Sequence, residues 1–269
     1  MKYLKLFEQQ TESEIAKICE EHALRNWSIN SEGLVDVDDD VILVRMMSKL
    51  PLRFGKVTGD FKIVDNALSS LKGAPRVVGG DFLCRENLLV SLVGGPEEVG
   101  GSFACWSNLL TSLEGAPRKL GGSFLCSRNS LLTSLRGLPK KIYGTLSCEG
   151  CNLTTLQGCP EEISHNFDCH SNELTTLEGG PRIVDGDFLC YNNKLITLRF
   201  APGFINGHAF VMNPIKDIPE KYLNNAYLEL IIKEQYDWSL YRKDGTLRLD
   251  RLEQLIEWGI ETNKIKPIE

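Results

Sequence analysis

The chain has 269 residues, 42% hydrophobic and 25% charged, an ordinary composition for a folded, water-exposed protein with room for one or two compact domains or one elongated one. A formal net charge of -6 at pH 7 argues against nonspecific binding to nucleic acid or an anionic membrane, since neutralising phosphates takes clustered Lys and Arg. Nine Cys, an odd number, with no leader-like or membrane-length apolar run, point to reduced thiols in a cytoplasmic compartment.

The first predicted element is a helix. Thr11 to Glu14 reads as a capping box, and Ile15, Ile18, Cys19, His22 and Ala23 follow at helical spacing. LVDVDDDVIL, residues 34–43, then alternates as a strand and is expected to add an irregular first rung to the repeats downstream of it. Residues 1–58 together read as an N-terminal unit of helix and strand. The run Asp36, Asp38, Asp39 and Asp40 lacks the loop glycine and distal glutamate of an EF-hand, so it reads as a solvated edge.

Between about residues 59 and 219 the sequence repeats. Pro75, Pro96, Pro117, Pro139, Pro160, Pro181 and Pro202 recur in steps of 21, with a single step of 22, and Cys84, Cys105, Cys126, Cys148, Cys169 and Cys190 keep the same steps. Each unit reads F-x-C-x-x-N-x-L-T-S-L-x-G-x-P-x-x-V-G-G. That fits the leucine-rich template L-x-x-L-x-L-x-x-N/C-x-L, with Phe and Cys in the second and third apolar places. About eight coils are predicted, the first marked by Phe61, Ile63, Asn66 and Leu68 and the last by His208, Phe210, Asn213 and Ile215.

Phe-x-Cys puts both side chains on one face of a short strand. So short a coil has no room for a return helix, and Gly-x-Pro interrupts any helical pattern. The strands are therefore expected to stack into one curved parallel sheet with an extended or turn-like convex side. Asn66, Asn87, Asn108, Asn129, Asn172, Asn193 and Asn213 form a column where the chain leaves the sheet, their side chains turned inward onto backbone groups. CEGCN puts Cys151 in the Asn place, and one coil carries an extra residue near Ser130.

The run NLLTSLEGAP resembles the short bacterial type of leucine-rich repeat, with its recurring L-T-x-L-P-x-L-P. The longer pattern, WSINSEGLVDVDDDVILV leading into KLPLRFGKVTGDF and then the GAP…VGGDF.C..N coils, spans roughly residues 27–219 and resembles repeat proteins encoded by tailed bacteriophages. The resemblance implies an α/β repeat solenoid, a leucine-rich-repeat superhelix with a concave parallel β-sheet, a helix-poor convex side and helical caps at both ends. It brings no activity with it. The short bacterial repeat also occurs beside a catalytic ubiquitin-ligase domain, which needs a nucleophilic Cys after the repeats, and no Cys follows Cys190.

Residues 220–269 read as the C-terminal helical cap. Tyr222, Leu223, Tyr227, Leu228, Leu230 and Ile231 follow helical spacing, and KDGT at 243–246 is a turn. Asp250 is expected to cap a last helix through Leu252, Leu255, Ile256 and Trp258, which Gly259 weakens or ends.

Cys148 and Cys151 have the C-x-x-C spacing of zinc and thiol-redox sites, yet the template already accounts for both places and no second pair completes a ligand set. No metal or other cofactor is expected. Of the four His, only His170 falls on the open sheet face, His208 taking an inward place. Without a Walker loop, nucleophile elbow or dinucleotide fingerprint the reading is noncatalytic.

What remains is the concave face. Leu83, Ala104, Leu125, Ser147, Asp168 and Leu189 form one outward column, and Arg85, Trp106, Ser127, Glu149, His170 and Tyr191 the next. These vary from coil to coil while the core positions do not. Arg85, Trp106, Leu125, Glu149, His170 and Tyr191 are the candidate partner-binding residues, since exposed aromatics and Arg are the types enriched in interface hot spots. The expected partner is another protein, a host or defence protein if the phage resemblance carries over. A structural or virion-associated assembly built through coil edges is the alternative.

Overall fold

The computed structural model describes residues 10–44 and 46–267; the parts of the terminal units at 1–9, 45 and 268–269 lie outside the described residues. Helix α1 (Glu12–Glu21) starts at its capping box: the Glu14 N–H donates to Thr11 Oγ1, and the Thr11 N–H donates to Glu14 Oε2 at 2.7 Å. Ile15 and Cys19 point into the core. The helix is shorter than its periodicity predicts, because His22 is its C-cap and Ala23 turns into the left-handed region at φ 53°.

Strand β1 (Trp27–Ile29) pairs antiparallel with β2 (Val35–Val37), and from β2 onward the chain winds as a solenoid of parallel strands. Every coil but one lays down two short strands. They are β2 with β3 (Val41–Ile42), β4 (Phe54–Val57) with β5 (Phe61–Lys62), β6 (Val77–Val78) with β7 (Phe82–Leu83), β8 (Glu98–Val99) with β9 (Phe103–Ala104), and β10 (Lys119–Leu120) with β11 (Phe124–Leu125). The next coil has only β12 (Leu146–Ser147), Ile142 making a single bridge to Ile163. Then come β13 (Glu162–Ile163) with β14 (Phe167–Asp168), β15 (Ile183–Val184) with β16 (Phe188–Leu189), and β17 (Phe204–Ile205) with β18 (Ala209–Phe210).

The second strand of every coil joins a nine-stranded sheet from β3 to β18. Around the Gly-Gly corner, five first strands with β1 at their edge form a six-stranded sheet and, past the gap at Ile142, three more form another. Much of the side expected to be merely extended is thus a hydrogen-bonded ladder of its own. At Gly121 a Cβ would sit against the Gly100 carbonyl oxygen of the coil before, so the corner closes only without a side chain.

The core is a stack of identical residues. Phe61, Phe82, Phe103 and Phe124 are parallel rings 5.2 to 5.5 Å apart, Leu146 interrupts the stack, and Phe167 and Phe188 resume it at 5.8 Å. Beside them Cys84, Cys105, Cys126, Cys148, Cys169 and Cys190 are fully buried, and all nine Cys of the chain are free thiols.

The Asn column satisfies the backbone at the sheet's exit. Asn129 is fully buried: its Nδ2 donates to the carbonyls of Cys105, Cys126 and Ser127, and its Oδ1 accepts from the Leu110 N–H at 3.1 Å. Asn66, Asn87, Asn108, Asn172, Asn193 and Asn213 likewise accept a backbone N–H and donate to carbonyls. To aim the Asn inward, the preceding residue adopts positive φ, as at Glu86 (56°), Ser107 (53°) and Ser171 (54°). Where Cys151 replaces Asn, its thiol donates to the Cys126 carbonyl at 3.4 Å but leaves no acceptor for the Leu132 N–H. The turn around the additional Ser130 supplies one, the Asn129 carbonyl at 2.9 Å. The two irregularities of that coil compensate each other.

A second polar column runs along the Gly-Gly corner. The carboxylates of Asp40, Asp60 and Asp81 accept the N–H groups of Asp60, Asp81 and Ser102 at 2.7 Å each, and Ser102, Ser123, Asn166 and Asp187 continue the pattern. The acidic run read as a solvated edge therefore begins this ladder: Asp40 does so directly, and Asp36 accepts from the Lys56 N–H at 2.8 Å.

The last coil corrects its predicted register. Ala209 and Val211 are fully buried, in line with Phe188 and Cys190, while His208 and Phe210, read as inward, are exposed. The coil lacks the positive-φ residue before its Asn, so counting back from Asn213 lands one position early.

Beyond a 3-10 turn at Glu220–Tyr222, α2 (Asn225–Glu234) is capped by Asn224 and packs against β18. KDGT turns as predicted, under a bridge between Tyr241 and Leu247. In α3 (Leu249–Glu261) the N-cap is Arg248, and Asp250 lies inside the first turn rather than capping it. Gly259 does not end the helix. It is buried, and a Cβ there would come within 2.6 Å of Leu230 on α2, so it marks close helix packing. Among the described residues no helix is long and apolar enough to cross a membrane.

Candidate functional site

The parallel register fixes which side chains share the outer face of the nine-stranded sheet. Lys62, Leu83, Ala104, Leu125, Ser147, Asp168, Leu189 and Phe210 are successive partners in one column. The residue two positions further on, just past each strand, gives Arg85, Trp106, Ser127, Glu149, His170 and Tyr191, with Met212 after them.

The structure draws four of the six candidates into two pairs. The Arg85 guanidinium lies 4.7 Å from the Trp106 ring centre, steadied by an ion pair to Glu86 at 2.8 Å. Farther along, the His170 and Tyr191 rings stack 4.4 Å apart and 15° from parallel. His170 Nδ1 meets Asp168 Oδ1 at 2.5 Å, and the same oxygen accepts the His170 N–H at 3.2 Å. Leu125 and Glu149 lie between the pairs. Ser127 is buried, with its Oγ 2.8 Å from that of Ser147, and Arg128 reaches Glu149 at 3.5 Å. Partial burial, then the negative charges of Asp168 and Glu149, raise the pKa of Tyr191, which keeps its hydroxyl neutral.

Sequence reasoning missed Phe210 and Met212, which the corrected register turns outward with 39% and 58% of their surface exposed. A signal was present: counting forward from Gly207, whose approach to Asp187 repeats that of Gly101 to Asp81, gives Ala209 the inward place.

Stacked rings, a guanidinium on an indole and two carboxylates can make ring-stacking, cation–π and charge-assisted contacts. Among the described residues His170 shares no hydrogen bond with a hydroxyl or thiol that it could activate. The C-x-x-C thiols are committed elsewhere: Cys148 donates to the Asp168 carbonyl at 3.4 Å and Cys151 to that of Cys126. Burial pushes both thiols up, Cys151 to about 11. Among the described residues no three His, Cys, Asp or Glu are grouped to hold a metal ion. Two cavities of about 400 and 510 Å³ lie off this face, beside Arg53 and Lys72 and beside Lys140 and Cys159.

Comparison with protein-family models, with curated proteins and with solved structures finds no match for this chain.

Proposed function

We propose that this chain is a noncatalytic scaffold that binds another protein on the open face of its nine-stranded sheet. In this reading residues 59–219 are a leucine-rich-repeat solenoid, and residues 1–58 and 220–269 cap it, α1 at one end and α2 with α3 at the other. It works in the cytoplasm, that of the host if the chain is phage-encoded, where it holds or inhibits a host or defence protein.

One observation carries the reading. Core columns repeat the same Phe, Cys and Asn, while the outward columns change at every coil and hold their bulky members pre-stacked, Arg85 on Trp106 and His170 on Tyr191. Side chains already fixed lose little freedom when a partner covers them, which is how aromatic anchors come to dominate interfaces. Truncation of Trp106 or Tyr191 to Ala is expected to weaken partner binding by about tenfold or more. Unchanged affinity in both folded variants would sink the proposal.

The alternative, assembly of like copies through coil edges, is favoured by one feature. Strand β3 ends the nine-stranded sheet beside exposed Ile42, Val44 (81%) and Met46 (85%), the sort of edge that invites a further strand. Sedimentation across a concentration series decides this: a dimer lost on Val44→Lys supports self-assembly, and a monomer throughout rejects it.

A further inference from the structure

We infer that the C-terminal third of the open sheet face receives a cationic, apolar-anchored segment of the partner; the inference rests on the protein-binding reading above and narrows it. From β12 to β18 the outward columns hold Ser147, Glu149, Asp168 and His170 and then Leu189, Tyr191, Phe210 and Met212. No Lys or Arg occupies an outward place in this stretch, whereas Lys62 and Arg85 take such places toward the other end. The face is thus polarised along the solenoid axis.

The two carboxylates have capacity to spare. Asp168 engages His170 through Oδ1, and Arg128 approaches Glu149 only through Oε1, from a well exposed position at 3.5 Å. Beside them lie Tyr191, half-buried with one ring face stacked on His170, and the exposed Phe210 and Met212. A carboxylate next to an aromatic ring is the setting in which an Arg or Lys side chain lays its stem and charge on the ring and its N–H groups on the oxygens. Glu149 and Tyr191 sit two rungs apart, roughly 10 Å at sheet spacing, so one short segment spans acid and anchor. Charge complementarity of this kind sets which partner docks and in which direction.

The probes are two short capped peptides of alternating Leu and Arg or Leu and Glu, titrated into the full-length isotope-labelled chain while backbone amide resonances are followed. The Arg peptide is expected to shift residues around Glu149, Asp168, Tyr191 and Phe210 saturably. Glu149→Gln with Asp168→Asn, which keep oxygen acceptors for Arg128 and His170, is expected to weaken it by about tenfold, and Lys140→Ala, off this face, to change it less than about twofold. Equal binding of both peptides, binding of neither, or indifference of the Arg peptide to the paired substitution overturns the inference. If the Arg peptide maps instead to the Arg85 and Trp106 end, this inference falls and the protein-binding reading stands. If it maps to the helices, off the sheet face, both fall.

Discussion

Removing the side chain of Asn129 strips three carbonyls and one N–H of their buried partner at once. Asn129→Ala is expected to cost about 3 kcal/mol in chemical denaturation, the penalty of leaving buried backbone groups unpaired. The exposed Asn152, which bonds a single carbonyl at 2.7 Å, is expected to lose under about 1 kcal/mol on the same change. Thiol chemistry gives a separate reading at this scale. Burial raises the pKa of Cys84, Cys105 and Cys126, so at pH 8 these groups stay protonated and enclosed. Alkylation counted by mass spectrometry is expected to be near zero for them in the native chain and complete after denaturation; fast native labelling would contradict the packing. Asp60 adds a pH dependence of definite sign. Its pKa is lowered by the Lys62 hydrogen bond and then by the Asp81 N–H, so its stabilisation holds above the ordinary carboxylate pKa and fades as pH falls through the lower folded value. Asp60→Asn keeps the N–H acceptor and is expected to flatten that part of the acid melting curve.

At the level of the element, the repeat was legible because every coil assigns the same residues to the same tasks. Phe82, Cys84, Asn87 and Leu89 recur as core, core, turn anchor and core, and each is buried as its spacing implies. The second ladder was not legible, since two-residue strands such as Val77–Val78 and Lys119–Leu120 are too short for any alternation to show. The corner ladder hid for a related reason: Asp60, Ser102 and Asn166 share one place in the coil and one hydrogen bond but not one identity. Phe210 was misplaced because the last coil shortens at its turn, and only the glycine before the strand keeps the true count. The corner carries its own prediction. Gly121→Ala forces apart the backbones of two coils and is expected to cost about 2 kcal/mol or more. Ser171→Gly relieves a strained positive φ of 54° and is expected to leave stability unchanged or raise it by about 1 kcal/mol. A melting series in which Ser171→Gly is the more damaging of the two would mean that the coils stack differently.

For the whole molecule, the outcome is a parallel-strand solenoid that exposes one ordered sheet face, with α2 packed against its last strand. Its outward residues are not uniform: a basic and indole pair lies at Arg85 and Trp106, two acids follow, and an aromatic and apolar cluster closes the row. The candidate residues could be named from sequence because the alternation of a strand dictates what faces out; their pairing could not, since stacking depends on rotamers set by neighbours in adjoining coils. The most direct test places a photoreactive amino acid at position 106, at position 191, or at Lys140 away from this face, and exposes each full-length variant to extract of the cell that naturally makes the protein. The account predicts the same discrete protein adduct from 106 and 191 and none from 140. Adducts formed only from position 140, or only from matching probes in α1 and α3, would contradict it.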